Sequence, residues 1–223
     1  MRITDVECLI LDREHPFVRI YTDEGLVGIG ECFRRLPSVI RTVVETVIKP
    51  VLLGKDPLDT ELRWREMILA TSSSDMGGAV YCAIAGLDIA MWDLKGKALG
   101  MPIHRLLGGK LQDKIRMYAS SLRRDLTPVE EARRAASLVE QGYSAYKLHS
   151  ALPGEIDHPS DQTIETVTEV RAAVGDDIEI LVDVNGAFSA HHAIEIGKAL
   201  ESLGVFHYEE PRPHHDLAGL ATV

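Results

Sequence analysis

Apolar and polar residues alternate along the first thirty or so positions, which is the pattern of half-buried β-strands. Strands are predicted at 3–11, 17–22 and 26–32. The turn at 23–25 ends in a glycine, which readily adopts the positive φ of a tight turn. This part of the chain therefore predicts a small antiparallel sheet.

A three- to four-residue periodicity then replaces the alternation and predicts helices at 38–53, 58–70 and 79–99. The small, glycine-rich stretch 71–78 between the last two predicts a loop. In the first helix, the apolar stripe expected to face the core comprises Val39, Val43 and Val47.

Beyond residue 113, strand-like and helix-like segments alternate, which predicts parallel strands joined by crossover helices. Thr127, Pro128 and Glu130 mark the start of the first of these helices, as a capping box with proline in the first turn. The predicted strands are 114–119, 143–149, 178–184 and 205–209, and the later helices are 161–174, 189–203 and 216–223.

The regular strand spacing favours a (β/α) barrel over a doubly wound sheet, because the 120–127 loop has none of the glycines of a G-x-G-x-x-G turn. A complete barrel takes ~250 residues. We therefore expect an α+β domain at 1–113, followed at 114–223 by the first four β/α units of a truncated TIM-type barrel. A self-contained four-stranded α/β domain is the alternative.

Composition narrows the possible partners and compartment. The net charge of −10 argues against a nucleic-acid surface. No stretch reaches the ~18 apolar residues of a membrane span, and the alternating N-terminus is unlike a signal peptide. Cys8, Cys32 and Cys82 are far apart in sequence and are expected to be reduced thiols. The chain is thus predicted to be cytoplasmic, with no nucleic-acid or membrane partner.

The second strand of the alternating part ends in two potential bases. Lys147 and His149 are two residues apart, so both side chains point to the same side of the sheet. A neighbouring ammonium lowers the pKa of its partner and helps to keep one base neutral. A merely solvated strand end is the alternative interpretation.

Acidic residues end the third and fourth strands. Asp183 follows the apolar run 180–182, so its carboxylate needs a buried partner, and a metal ion is one option. In the pair Glu209-Glu210, only one side chain can face the same side as Asp183. Asp183 and one of these glutamates would form an oxygen site suited to Mg²⁺. A polar rim without metal is the alternative.

Two longer motifs resemble a known family. The segment 83–109, AIAGLDIAMWDLKGKALGMPIHRLLGG, resembles the signature of the mandelate racemase/muconate lactonizing enzyme family of the enolase superfamily. The sequences DVN at 183–185 and YEEP at 208–211, on successive strands, resemble its second signature. The resemblance runs from residue 1 to residue 223.

The resemblance implies a capping domain at 1–113, whose loops close over the substrate, on a modified (β/α) barrel. It also implies Mg²⁺ as cofactor, a small-molecule carboxylate as substrate and a homo-oligomer in the full-length protein. A third acidic ligand and a His-Asp pair would lie beyond Val223. The implied site has Asp183 and Glu209 as metal ligands, Lys147 and His149 at the Lys-x-Lys positions of the base, and Asn185 and His15 near the substrate.

The implied chemistry removes the proton next to a carboxylate, and a divalent cation stabilises the enediolate that forms. Dehydration of a sugar acid to a 2-keto-3-deoxy acid is the expected outcome. A racemase, epimerase or cycloisomerase of a hydroxy acid is one alternative, and an inactive truncated remnant is another.

Overall fold

The computed structural model describes residues 1–73, 77–152 and 154–223. The chain folds as two compact units, Met1–Asp113 and Lys114–Val223. The loop predicted at 71–78 includes residues 74–76, which lie outside the described residues. In the described part of the chain, no helix combines the length and the apolarity needed to cross a membrane.

The first unit contains the predicted antiparallel sheet, with β1 (Ile3–Leu11), β2 (His15–Thr22) and β3 (Val27–Glu31) paired in that order. Val6 lies opposite Ile20, and Cys8 lies opposite Val18. All four side chains are buried in one hydrophobic cluster. The alternation in the sequence thus gives this sheet one buried face.

Helices bury that face of the sheet. They are α1 (Pro37–Thr42), a π-helical segment (Val43–Ile48), α2 (Lys49–Leu52), α3 (Thr60–Thr71), α4 (Gly78–Leu99) and α5 (Ile103–Leu106). The long helix α4 lies close against β3, where a Cβ atom added to Gly30 would collide with the backbone of Gly86. Glycine at this position therefore sets how closely the sheet and the helix can pack.

The predicted stripe in the first helix is wrong by one residue. Val39 and Val47 are exposed, at 46% and 39%, whereas Ile40, Val44 and Ile48 are buried. Two neighbouring sets of positions in this segment are apolar at helical spacing, so periodicity alone cannot tell which set faces the core. The structure buries the stripe with two isoleucines, which removes more apolar area from water.

The second unit is a parallel α/β sheet, as predicted. Its strands β4 (Ala119–Ser120), β5 (Ala145–His149), β6 (Glu179–Asp183) and β7 (His207–Glu209) pair in that order. Its helices are α6 (Pro128–Glu140), α7 (Thr163–Val174), α8 (Ala190–Ser202) and α9 (Leu217–Thr222). Tyr146, Leu148, Ile180 and Val182 form a core with residues of α6, α7 and α8. Helices therefore cover one face of the sheet.

The first strand of this sheet is much shorter than the predicted 114–119. Only Ala119 and Ser120 pair with β5, and residues 114–118 are not in a strand. Ile115 and Met117 remain 73% and 66% exposed. A β-like sequence becomes a strand only where a neighbouring strand completes its hydrogen bonds, and here two residues meet that condition.

Candidate active site

Strand register brings four of the predicted residues together. His149 lies beside Asp183 in the pairing of β5 with β6, and Asp183 lies beside Glu209 in the pairing of β6 with β7. Lys147 shares their side of the sheet because it is two residues before His149. The opposite side is the one that packs against the helices. Two carboxylates, a lysine and a histidine therefore converge at the carboxyl ends of three strands.

Lys147 lies between the two carboxylates. Its Nζ is 2.6 Å from Oε2 of Glu209 and 3.2 Å from Oδ2 of Asp183, and the lysine side chain is only 10% exposed. Burial lowers the pKa of Lys147, but the contacts with Glu209 and Asp183 outweigh burial and raise the pKa above its ordinary value. In this arrangement Lys147 is an ammonium ion.

The two oxygens of Asp183 have different partners. Oδ1 accepts hydrogen bonds from the backbone N–H and the side-chain amide of Asn185, at 2.9 Å and 2.8 Å. Oδ2 faces Lys147 and His149, each at 3.2 Å. Burial raises the pKa of Asp183, but the Asn185 N–H, Lys147 and His149 together hold it below its usual range. Asp183 is therefore a buried, ionised carboxylate.

His149 is held by its Nδ1 atom. Nδ1 lies 2.6 Å from the backbone carbonyl oxygen of Ser121, and both residues are buried. A carbonyl oxygen can only accept a hydrogen bond, so the proton must be on Nδ1. Nε2 lies 3.2 Å from Oδ2 of Asp183, which can accept a hydrogen bond from it, so Nε2 is the ring atom left to gain or lose a proton.

The two residues predicted to lie near the substrate, Asn185 and His15, have different surroundings in the structure. Asn185 follows β6 with a positive φ of 46° and contacts Asp183, Glu210 and Arg124. His15 belongs to the first unit, where its half-exposed ring lies 3.8 Å from a carboxylate oxygen of Glu31.

Sequence reasoning missed Arg124 and Ser121. The run SSLRRDLT carries no motif that distinguishes these two residues from their neighbours. Their partners, Asn185 and His149, are 61 and 28 positions away along the chain. Only the fold reveals such contacts.

One observation indicates that the carboxylates of Asp183 and Glu209 could hold Mg²⁺. The Lys147 ammonium occupies the space shared by Asp183 and Glu209, so both carboxylates already face a common cation. Among the described residues, no group of three or more His, Cys, Asp and Glu side chains is gathered for a metal. Mg²⁺ is commonly held by one or two carboxylates, with waters and substrate completing its shell.

Two family models match the chain. The model described as mandelate racemase / muconate lactonizing enzyme, N-terminal domain, matches residues 12–108. The model described as enolase C-terminal domain-like matches residues 129–223. Together they cover most of both units.

Several similar proteins have curated functions. D-xylonate dehydratase from Haloferax volcanii is 32% identical over 99% of this chain and 57% of its own length. D-gluconate dehydratase from Thermoproteus tenax is 35% identical over 91% of the chain and 41% of its own length. D-galactarolactone cycloisomerase from Agrobacterium fabrum is 31% identical, with coverages of 95% and 54%. The chain thus spans about half the length of these relatives.

Solved structures share the fold. A putative dehydratase from Mesorhizobium loti superposes with a TM-score of 0.91 at 30% identity, over 99% of this chain and 62% of its own. A mandelate racemase/muconate lactonizing protein from Paracoccus denitrificans, complexed with magnesium, gives a TM-score of 0.88 at 32% identity, with coverages of 98% and 61%. These neighbours confirm the predicted fold class.

Proposed function

Because the chain belongs to the mandelate racemase/muconate lactonizing enzyme family of the enolase superfamily, we propose that it takes part in Mg²⁺-dependent dehydration of a sugar acid. The observation that carries this proposal is the group formed by Lys147, His149, Asp183 and Glu209 on one side of the parallel sheet. The sugar-acid dehydratases among its relatives support the reaction class.

Asp183 and Glu209 would hold the metal ion. Oδ2 of Asp183 and Oε2 of Glu209 face the same cation, and Oδ1 of Asp183 is occupied by hydrogen bonds from Asn185. A bound divalent cation supplies charge stabilisation for the substrate carboxylate as the α-proton leaves.

His149 would act as the general base, and Lys147 as a fixed positive charge. The proton on Nδ1 of His149 is anchored to Ser121, so Nε2 is the atom that can take the α-proton. Lys147 is ammonium in this structure because two carboxylates raise its pKa. Its charge offsets part of the negative charge of Asp183 and Glu209 at this end of the sheet. Loss of the α-proton and of the β-hydroxyl group releases water and leaves an enol that becomes the 2-keto-3-deoxy acid.

An isomerase is the second candidate. One relative is a D-galactarolactone cycloisomerase. Racemisation and dehydration share the first step, removal of the α-proton, and differ in what happens to the enediolate. The residues in this chain supply the shared step, so the product has to be measured.

The experiment is to incubate the chain, alone and in its full-length form, with Mg²⁺ and a panel of sugar acids in deuterated solvent. Formation of a 2-keto acid, detected as its semicarbazone, is the expected result. Deuterium at the α-carbon without a keto acid would favour the isomerase. Absence of both exchange and keto acid across the panel, with substrate and metal shown to bind, would contradict the proposal.

A further inference from the structure

Asn185 uses every polar atom of its side chain inside the protein. Its Nδ2 donates to Oδ1 of Asp183 at 2.8 Å and to Oε2 of Glu210 at 3.2 Å. Its Oδ1 accepts a hydrogen bond from Nη2 of Arg124. The opposite amide orientation would turn a carbonyl oxygen towards two carboxylates and an NH₂ group towards a guanidinium. The surrounding charges therefore fix how this amide points.

Arg124 connects three loops that follow three different strands. It lies in the loop after β4, and its Nε donates to the carbonyl oxygen of Ala151, in the loop after β5, at 3.2 Å. Its Nη2 reaches Asn185, in the loop after β6. A guanidinium presents several donors in one rigid plane, so a single side chain can hold both acceptors at once.

These contacts determine which oxygen of Asp183 faces the cation site. Asn185 has a positive φ of 46°, and in this conformation its backbone N–H and its side-chain amide both point at Oδ1 of Asp183. Oδ1 therefore has two donors, and Oδ2 is left facing Lys147 and His149.

We propose that Arg124 is a positioning residue that acts through Asn185 to hold Asp183 with Oδ2 turned towards the cation site. This inference rests on the proposed function, because it needs Asp183 to be a metal ligand. It also gives Asn185 a different role from the substrate contact expected from the sequence. Hydrogen-bond partners of metal ligands typically contribute about 10- to 100-fold to metal affinity.

The test compares two adjacent arginines. Arg124→Met removes the connection to Asn185, whereas Arg123→Met is a matched control because Arg123 is about half exposed and pairs with Asp125. Mn²⁺ serves as a paramagnetic probe, and its binding to each variant is followed by electron paramagnetic resonance. We expect Arg124→Met to weaken Mn²⁺ binding by about 10- to 100-fold. Arg123→Met should leave it unchanged.

Two further measurements separate positioning from folding. Arg124→Lys keeps the charge but lacks the planar fork of guanidinium donors that reaches both acceptors, so it should restore only part of the Mn²⁺ affinity. Thermal unfolding of both Met variants checks that the second unit remains folded. Parental affinity in a folded Arg124→Met variant would overturn the proposal.

The failures of the two proposals can be told apart. If the parent chain binds no Mn²⁺, the metal site of the proposed function falls. The Arg124 connection is then decided by NMR, from the hydrogen exchange of the Asn185 side-chain amide. Faster exchange in Arg124→Met than in Arg123→Met is the expected result, and equal rates in the two variants would overturn the positioning role.

Discussion

The two units bury different kinds of side chains. Among the described residues, Arg63 is the buried charged side chain of the first unit, whereas the second buries Glu131, Lys147 and Asp183, with His149 beside them. Burying a charge is costly unless it is paired. The first unit thus has the interior expected of a scaffold. In the second, Lys147, Asp183 and His149 lie together at the proposed active site, where such a cost is expected, and Glu131 pairs with Tyr146.

The largest expected effect is on proton removal. His149→Ala should slow α-proton exchange of a sugar-acid substrate by about 10²- to 10⁴-fold, because it removes the proposed general base. Mn²⁺ affinity should remain, since Asp183 and Glu209 are unchanged. Exchange is measured by NMR in deuterated solvent, with His192→Ala as a histidine control from the same unit. Equal exchange rates in the parent and His149→Ala would place the base elsewhere.

The next prediction compares the buried cation of each unit. Lys147→Met leaves two carboxylates facing each other, and loss of one partner from a buried ion pair costs about 3–5 kcal/mol in the free energy of unfolding. A divalent cation should restore part of that stability. Arg63→Met, which breaks the pair of Arg63 with Glu66, should also destabilise, but without rescue by Mg²⁺.

The chain offers a separate probe for that comparison. Trp64 and Trp92 both lie in the first unit, so tryptophan fluorescence follows its unfolding alone. Far-ultraviolet circular dichroism follows both units. Mg²⁺ rescue of Arg63→Met, or its absence in Lys147→Met, would remove the distinction between the two units.

A smaller effect is expected at the pair formed by Tyr146 and Glu131. The Tyr146 hydroxyl donates to Oε1 of Glu131 at 2.6 Å, and both residues are buried. Burial and this hydrogen bond raise the pKa of Tyr146. Tyr146→Phe leaves the carboxylate without its donor and should cost about 1–3 kcal/mol of stability. Denaturant titration followed by circular dichroism measures this loss, and an unchanged midpoint would contradict it.

The smallest expected effect is on the pH dependence of the free energy of unfolding, measured in the absence of metal. The lowered pKa of Asp183 contributes stability that is complete above about pH 4 and is lost as pH falls through its folded value. The raised pKa of Lys147 contributes stability that is complete below about pH 10 and is lost as pH rises through its folded value. The Lys147→Met variant should lose the alkaline decline. An alkaline decline equal to that of the parent would contradict this account.

Local patterns predicted much of the second unit because its determinants are short-range. Alternation along β5 was sufficient to place Lys147 and His149 on one side, and the capping box predicted at Thr127 is present at the start of α6. At the start of α8, the Ser189 side chain likewise caps the helix by accepting from the backbone N–H of His192. Such features depend on neighbours within a few residues, which the sequence displays directly.

The predictions that were wrong concern features that depend on residues far away in the sequence. The choice between the Val39 and Ile40 stripes depends on which face meets the sheet, and the length of β4 depends on how much of it β5 can pair. Arg124 contacts Asn185 only because the fold brings the two together from 61 positions apart. Sequence periodicity does not predict which face of a helix is buried, where a strand finds a partner, or which distant side chains come into contact.

The central claim is that Asp183 and Glu209 share one cation, and Mn²⁺ titration followed by electron paramagnetic resonance tests it most directly. The variants are Asp183→Asn and Glu209→Gln. The control is Glu179→Gln, a carboxylate on the same strand and side as Asp183 that pairs with Arg116. The account predicts saturable binding by the parent and the control, and loss of that binding in both site variants. Parental affinity in either site variant, or no binding by the parent, would contradict it.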